Sequence, residues 1–376
     1  MAIPIDSAVM AVANAFCSNG AVLSVEPLGG GNVNHTFLLR TTEGTRVLQR
    51  INTSVFRQPD GLMANLRAVA RHARSKLSDP SRCHPLLQQR RWELPEPVGE
   101  LQRCDQGAPW RCITFVDNSL SVDCVADPQQ AQELGLGLGL FHHLISDLPA
   151  ESLTDTLEGF HITPLYLDAY KQALVRTQQF PSEQANRCIA FIRERESITT
   201  VLEHAKARGT LPLRPIHGDP KINNVMFDRS SGAAVALVDL DTVKPGLVHY
   251  DIGDCLRSCC NPAGEECESL DAVQFDLNLA SAVLRGYLSV ARSFLAPAEL
   301  ALIPDAVRLI SFELGLRFFT DYLQGNTYFQ VQRPEQNLQR ALVQFQLTAS
   351  IESQMDALRE LVEQIALERQ DRSFCA

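Results

Sequence analysis

One short segment constrains this chain more than any other. Residues 215–227 read Pro-Ile-His-Gly-Asp-Pro-Lys-Ile-Asn-Asn-Val-Met-Phe, which places a carboxylate, an ammonium group and a carboxamide within six residues, at Asp219, Lys221 and Asn224. A second carboxylate, Asp239, follows Asn224 by fifteen residues and ends the apolar run 235–238. A polar loop of this kind, followed by an acid at the end of an apolar strand, is typical of a kinase-type phosphoryl-transfer site.

Each of these side chains has a defined role in such a site. We expect Asp219 to orient the attacking hydroxyl group and to accept its proton. Asn224 and Asp239 supply the oxygen ligands that Mg²⁺ prefers, and would hold the ion against the phosphates of ATP. Lys221 lies where it could neutralise charge on the transferred phosphoryl group, although a solvated loop lysine is an alternative. ATP and Mg²⁺ are therefore the predicted cofactors.

The N-terminal third of the chain has the pattern of a small antiparallel sheet. A glycine-rich turn, with Gly29, Gly30 and Gly31, separates the first two strands, and its N–H groups could approach phosphate oxygens closely. A helix is predicted over residues 59–77. The predicted strands are residues 22–26, 36–40, 45–51 and 110–116.

The third strand lacks the lysine that usually holds the α- and β-phosphates in kinase-like folds. It offers Gln49 and Arg50 instead, so Arg50 is the candidate cation. We also expect Asn34, Phe115 and Val116 to contact the nucleotide. Because the lysine is missing, a non-catalytic pseudokinase is an alternative.

After residue 117 the sequence becomes mostly helical. The predicted fold class is therefore α+β: a protein-kinase-like two-lobed fold with a small β-rich N-terminal lobe (1–117), a large helical C-terminal lobe (118–376), and ATP in the crevice between them. The predicted helices of the second lobe are 127–146, 163–179, 184–207, 272–293, 297–323 and 334–369.

Composition excludes several classes of function. The net charge of −10 on 376 residues argues against a general nucleic-acid binder. No apolar run reaches the ~18 residues that span a bilayer, and no Lys or Arg precedes the apolar N-terminus as in a signal peptide. The 11 cysteines form no C-x-x-C pair, which favours a cytoplasmic protein with reduced thiols. We expect Cys255, Cys259 and Cys260 to be core residues and not metal ligands. We also expect the protein to be a monomer or a homodimer.

Several stretches together resemble a known family. They are residues 29–34, 47–52, 217–228, 237–246, 249–254 and 316–323. They are similar to the aminoglycoside-phosphotransferase-like kinases, and most similar to the N-acetylhexosamine 1-kinase group. The resemblance implies phosphorylation of a free N-acetylhexosamine at its anomeric hydroxyl. It also implies that Arg317 and Tyr328 contact the sugar and that Thr242 lies near it.

Two other functions stay open at this point. A kinase of the same fold could act on another hydroxyl compound, such as an amino alcohol, choline, homoserine or an aminoglycoside. Cationic acceptors need carboxylates, and the acidic run 265–268 keeps that alternative open. The sequence Asp239-Leu240-Asp241 is also a D-x-D metal motif of glycosyltransferases, but the strand–helix alternation of their parallel sheets is missing from the first half of the chain.

Overall fold

The computed structural model describes residues 7–17, 20–29, 33–103, 107–177 and 182–368. The elements of the N-terminal region are α1 (Ser7–Ala15), β1 (Val22–Pro27), β2 (His35–Thr41), β3 (Gly44–Arg50), α2 (Pro59–Leu77), α3 (Pro85–Gln89), β4 (Gln102–Arg103) and β5 (Pro109–Thr114). Its strands form one five-stranded antiparallel sheet with strand order β1-β2-β3-β5-β4.

The two faces of this sheet have different partners. Because side chains alternate along a strand, Leu48 and its cross-strand neighbour Cys112 point to one face, where they form a core with α1. Val47 and Ile113 point to the other face and pack towards the main core of the molecule. Polar residues on this second face therefore lie between the sheet and the C-terminal region.

The C-terminal region is mostly helical, as predicted. Its elements are β6 (Ser119–Leu120), α4 (Pro128–Ile145), α5 (Thr163–Arg176), α6 (Glu183–Arg195), α7 (Val201–Ala207), β7 (Arg214–Ile216), β8 (Val225–Asp228), β9 (Ala234–Leu237), β10 (Lys244–Gly246), α8 (Val248–Cys259), α9 (Leu277–Ala291), α10 (Pro297–Leu300), α11 (Ile303–Leu323), α12 (Gln336–Ser353) and α13 (Met355–Leu367).

Helices α4 and α9 cross at very short distance. A Cβ atom on Gly135 of α4 would lie 2.0 Å from the carbonyl oxygen of Val283, and one on Gly286 of α9 would lie 2.0 Å from that of Gln132. Neither position can therefore carry a larger residue without separating the helices. This close contact explains why the predicted helix 127–146 tolerates glycines that lower its helix propensity.

The predicted α+β fold is confirmed, with local corrections. Three predicted helices are divided: 184–207 by a 3₁₀ turn at Glu196–Thr200, 297–323 before Pro304, and 334–369 at Gln354. The helices α1, α3 and α8 had not been singled out. The cysteines Cys255, Cys259 and Cys260 are buried at α8, as expected for core residues. The lobe boundary after residue 117, the oligomeric state and the cellular location stay predictions.

Among the described helices, none is both long enough and apolar enough to cross a bilayer.

Candidate active site

The loop between β7 and β8 carries the polar segment that begins at His217. Its sharp turn depends on Gly218, which has a φ of 87°. A Cβ atom at this position would lie 2.6 Å from the carbonyl oxygen of Thr242. Only glycine fits both the left-handed backbone and the available space. The side chain of Thr242 closes the contact by donating a hydrogen bond of 2.8 Å to the carbonyl oxygen of His217.

A buried carboxylate on α8 fixes the backbone of this loop. Asp251 accepts hydrogen bonds from the N–H groups of His217 (2.7 Å) and Gly218 (2.8 Å). The ring of His142 lies 2.8 Å from the same carboxylate and 3.0 Å from the hydroxyl of Tyr287. The loop is therefore tied to the rigid contact between α4 and α9, which limits the positions available to Asp219.

His217 orders the loop through hydrogen bonds. Its Nδ1 accepts from the N–H of Asp219 at 3.2 Å, so the proton belongs on Nε2, which lies 3.0 Å from the carbonyl oxygen of Val238. Burial lowers the pKa of His217. The imidazole is therefore neutral and joins the Asp219 loop to the strand end that precedes Asp239.

His161 holds the loop from the opposite side. Its Nε2 lies 2.7 Å from the carbonyl oxygen of Gly218 and its Nδ1 lies 2.8 Å from Oε1 of Glu313. Both partners are acceptors, so the buried ring fits best as an imidazolium that donates from both nitrogens. Burial opposes this charge, but Glu313 outweighs it and raises the pKa of His161. Sequence patterns had not singled out either residue, because they meet only through the fold.

Asp219, Lys221 and Asn224 come together as predicted from their spacing. The Lys221 ammonium lies 2.9 Å from Oδ2 of Asp219, and the Asn224 amide donates to the carbonyl oxygen of Asp219 (2.7 Å) and to Oδ2 (3.2 Å). Among the described residues, no hydrogen bond uses Oδ1 of Asp219 or Oδ1 of Asn224. One carboxylate oxygen is thus free for an acceptor hydroxyl, and one amide oxygen for a cation.

Asp239 is exposed after the end of β9 and has a left-handed backbone, with φ 62°. The surrounding protein and the carboxylates of Asp241 and Asp219 raise the pKa of Asp239 to about 7, while the cations Lys221 and Arg111 act in the opposite direction. The two cations therefore do not outweigh the surrounding protein and the neighbouring carboxylates. The carboxylate of Asp239 and the free oxygen of Asn224 therefore fit a hard divalent cation such as Mg²⁺.

The raised pKa of Asp239 predicts a pH-dependent response to magnesium. Between the usual Asp pKa and about 7, the folded protein binds more protons than the unfolded chain, so stability without metal falls as the pH rises through this window. Mg²⁺ binds the ionised carboxylate. We expect Mg²⁺ alone to raise the melting temperature more at about one pH unit above 7 than at about one unit below it. Thermal-shift measurements that show an equal rise at both pH values would contradict this.

The residues predicted to bind the nucleotide lie in different environments. Gly29 is exposed after β1 with φ 65°, and Gly30 and Gly31 lie outside the described residues. Phe115 is half-buried, and Val116 packs against Val235 and Ala236 of β9. Roles for these residues at the nucleotide stay predictions.

Arg50 requires a correction. It shares a sheet face with Leu48 and opposes Trp110, which belongs to the core beneath α1. The inward position of β3 is taken by the neutral Gln49, and the cation on this face is Arg111 of β5, whose Nη2 lies 2.5 Å from Oδ1 of Asp241. Sequence analysis missed Arg111 because strand pairing, and not spacing along the chain, places it beside the site. Asn34 also contacts Asp241, at 2.6 Å.

Arg317 lies on α11 within a group of rings that we call the aromatic box (Phe160, Tyr166, Tyr328 and Phe329). Its guanidinium carbon is 5.1 Å from the ring centres of Phe160 and Tyr166, 5.5 Å from that of Phe329 and 5.9 Å from that of Tyr328. No carboxylate among the described residues forms an ion pair with it. Although burial works in the opposite direction, two phenol groups and the carboxylates of Glu313 and Asp219 raise the pKa of Arg317.

The loop that carries Tyr328 is held by Asp321 at the end of α11. The carboxylate of Asp321 accepts hydrogen bonds from the N–H groups of Thr327 (2.8 Å), Tyr328 (2.8 Å) and Phe329 (2.9 Å). Tyr328 is 49% exposed, so part of its side chain is accessible to solvent. The motif that contains Arg317 and Asp321 thus builds the box from one helix and the loop that follows it.

Comparison with known proteins gives this site a family. Structures of similar fold include an aminoglycoside phosphotransferase from Alicyclobacillus acidocaldarius (15% identity, covering 97% of this chain and 98% of that one, TM-score 0.58). They also include an ethanolamine kinase from Plasmodium vivax (12% identity, covering 87% of this chain and 82% of that one, TM-score 0.53). A variant of aminoglycoside 2'-phosphotransferase-IIIa in complex with GDP is a third (14% identity, covering 94% of this chain and 95% of that one, TM-score 0.52).

At these identities the structures establish the fold, and the family follows from the sequence match. The model of the phosphotransferase enzyme family (APH) matches residues 24–297, which include Asp219, Asn224 and Asp239. The predicted use of a nucleotide and magnesium agrees with this match. The chain therefore belongs to the APH phosphotransferase family.

Proposed function

We propose that this phosphotransferase uses ATP and Mg²⁺ to phosphorylate the anomeric hydroxyl of a free N-acetylhexosamine, giving the sugar 1-phosphate. The observation that carries the proposal is the guanidinium of Arg317. It lies in the aromatic box without a carboxylate partner among the described residues, and the charge of Asp219 acts on it.

Such a guanidinium selects against cationic acceptors. Glu313, one helical turn away, already binds His161 and Thr163, at 2.8 Å and 2.6 Å. The charge of Arg317 is therefore available to a ligand. The guanidinium suits a neutral substrate that carries a strong hydrogen-bond acceptor, such as an acetamide carbonyl oxygen. The exposed ring of Tyr328 offers a surface for a sugar.

The acidic run 265–268 gives little support to a cationic acceptor. Glu265 pairs with Arg257 at 2.5 Å, and Glu266 pairs with Arg340. These two carboxylates of the run are thus engaged in ion pairs. Choline, ethanolamine and aminoglycosides would have to bind near the positive charge of Arg317, which repels them.

In the proposed reaction, Asp219 receives the proton of the acceptor hydroxyl on its free Oδ1. The anomeric oxygen forms a bond to the γ-phosphorus, the bond from that phosphorus to the β–γ bridging oxygen breaks, and ADP leaves. Lys221, held at Asp219, places positive charge beside the transferred group. Magnesium, held by Asn224 and Asp239, would neutralise phosphate charge. An anomeric hydroxyl is more acidic than an ordinary alcohol, which suits a weak carboxylate base.

One alternative acceptor class also fits Arg317. A hydroxy acid such as homoserine carries a carboxylate that a guanidinium binds well. The D-x-D glycosyltransferase alternative is weaker, because both oxygens of Asp241 contact Arg111 and Asn34. A pseudokinase is also disfavoured by the assembled Asp219, Asn224 and Asp239.

An acceptor panel tests the proposal. Purified protein with ATP and Mg²⁺ would be assayed for ADP release with N-acetylglucosamine, N-acetylgalactosamine, glucose, homoserine, choline and kanamycin. Phosphorus NMR of the product identifies the phosphorylated oxygen. We expect turnover with at least one N-acetylhexosamine and a product phosphorylated at the anomeric position. Absence of ADP release with both N-acetylhexosamines would refute the proposal.

The variant Arg317→Met tests directly whether the guanidinium of Arg317 binds the acceptor. The substitution keeps much of the side-chain volume but removes the charged donors. We expect the KM for the N-acetylhexosamine to rise about 10- to 100-fold, which corresponds to a lost hydrogen bond from a charged group. The KM for ATP should stay within about twofold, because the aromatic box lies on the acceptor side of Asp219 in this proposal.

Arg340→Met is the matched control. Arg340 also lies over an aromatic ring, 5.5 Å from Phe318, but it pairs with Glu266 on the surface. We expect both KM values to stay near those of the parent enzyme. If Arg317→Met raised the two KM values equally, Arg317 would not be an acceptor residue.

A further inference from the structure

The carboxylate of Asp241 is a meeting point between the N-terminal sheet and the catalytic loop region. Its Oδ1 lies 2.5 Å from Nη2 of Arg111, and the side chains of this ion pair are 2% and 3% exposed, respectively. Its Oδ2 accepts a hydrogen bond of 2.6 Å from the amide of Asn34, just before β2. Two separate parts of the N-terminal region therefore bind one carboxylate of the C-terminal region.

The guanidinium of Arg111 is itself held by the sheet. Its Nε donates to Oε1 of Gln49 at 2.9 Å, and the Gln49 amide donates to the hydroxyl of Thr36 at 3.0 Å. Asn34 accepts a hydrogen bond of 3.0 Å from the N–H of Asn52. These hydrogen bonds, together with the ion pair between Arg111 and Asp241, connect β2, β3 and β5 to the carboxylate of Asp241.

Asp241 transmits this arrangement to the metal-binding residues. It follows Asp239 by two residues in a short 3₁₀ turn, Leu240–Thr242, and Thr242 binds the carbonyl oxygen of His217. A shift of Asp241 would therefore move the backbone that supports Asp239. Hydrophobic residues of similar volume can often replace a buried ion pair without loss of stability, so the pair is not needed for packing alone.

Resting on the proposed magnesium site, we infer that Arg111 and Asp241 are positioning residues, which couple the N-terminal sheet to Asp239. In other kinase-like sites a third-strand lysine is placed by a glutamate partner and contacts the phosphates. The Arg111–Asp241 pair differs, because it acts on the placement of Asp239 and not on a phosphate. Here the inward residue of β3 is Gln49, and the cation comes from β5.

The burial of the pair excludes two simpler roles in this conformation. Both oxygens of Asp241 already have partners within hydrogen-bonding distance, so it is not a second metal ligand. Arg111 is almost inaccessible, so it does not contact a phosphate directly. Its substitution should therefore change how well the magnesium–nucleotide complex binds by misplacing Asp239 and the turn around Asn34.

Calorimetric titration with ADP and Mg²⁺ tests the inference without knowledge of the acceptor. We expect Arg111→Met and Asp241→Asn each to weaken binding of the Mg·ADP complex by about tenfold or more. The double variant should bind Mg·ADP at most about threefold more weakly than whichever single variant has the lower affinity. The reason is that both substitutions break the same interaction, the Arg111–Asp241 ion pair. Arg111→Lys, which keeps a charge but not the geometry, should give an intermediate affinity and serves if Arg111→Met does not fold.

Lys76→Met provides the control for general destabilisation. Lys76 is also a buried cation, with a side chain 5% exposed, and it pairs with Asp147 at 2.8 Å, between α2 and the end of α4. We expect it to lower the melting temperature while Mg·ADP affinity stays within about twofold of the parent. The inference would be overturned if folded Arg111→Met bound Mg·ADP as tightly as the parent. It would also be overturned if the loss of Mg·ADP affinity in the double variant equalled the product of the losses in the two single variants. Neither result would bear on the proposed acceptor.

Discussion

Asp219→Asn should lower kcat by about 1,000-fold, within the range for loss of a general base. The substitution keeps the size of the side chain, and an amide oxygen can still accept from Lys221 and Asn224. The loop anchors on Asp251 and His161 act on the backbone and remain in place. What disappears is the free carboxylate oxygen that would take the acceptor proton. We therefore expect binding of the Mg·ADP complex to change by no more than about threefold.

Single-turnover and calorimetric measurements separate these two effects. Asp228→Asn is a suitable control, because Asp228 lies at the end of β8 and its carboxylate binds Ser230 and Ser231 in an exposed turn. That variant should keep its kcat. Residual activity of Asp219→Asn within tenfold of the parent would refute the assignment of Asp219 as the base.

Asp239→Asn should abolish the magnesium-dependent properties of the protein. Asparagine tolerates the left-handed backbone found at this position, so the turn is preserved. The substitution removes the anionic oxygen ligand, and we expect kcat to fall by about 1,000-fold. The parent protein at about 100 times its Kd for Mg·ADP should gain about 2.7 kcal/mol of stability. The variant should gain almost none.

The same variant should not lose stability in the absence of ligand. The ionised carboxylate of Asp239 is disfavoured by the surrounding protein and by Asp241 and Asp219, so a neutral amide relieves repulsion. Because Asp239 is exposed, water weakens this repulsion, and we therefore expect a melting temperature equal to or slightly above that of the parent. Equal stabilisation of both proteins by Mg·ADP would show that Asp239 is not the metal ligand.

Local sequence patterns were sufficient to predict those parts of the site and the fold whose residues lie close together in the chain. Asp219, Lys221 and Asn224 lie within six residues, so one loop fixes their relation. The strands β1, β2, β3 and β5 were predicted within a few residues, because their alternation and turn residues are local properties. Helix ends were less accurate. The break before Pro304 lies next to a proline, but Gln354, at the other break, donates a hydrogen bond to the carbonyl oxygen of Phe275, a contact that only the fold creates.

The cation of the sheet illustrates the opposite case. Arg50 was the natural candidate from its place on the third strand, yet β3 turns Gln49 inward and Arg50 towards the face that packs on α1. Arg111 is 61 residues further along the chain and becomes a neighbour of Gln49 only through the pairing of β3 with β5. Since a shift of one residue in strand register exchanges the two faces, the sequence alone could not decide between them.

The sequence by itself determined the reaction class, because two carboxylates and an amide at short, fixed spacing leave few other interpretations. It also determined the division into a sheet-rich and a helical region, since hydrophobic periodicity is local. Only the tertiary structure decided which cation of the sheet lies beside Asp241, how His161 and Glu313 hold the loop that carries Asp219, and that Arg317 has no carboxylate partner among the described residues. Those properties depend on contacts between residues 57 to 152 positions apart, or on the absence of such contacts, and chain folding alone sets them.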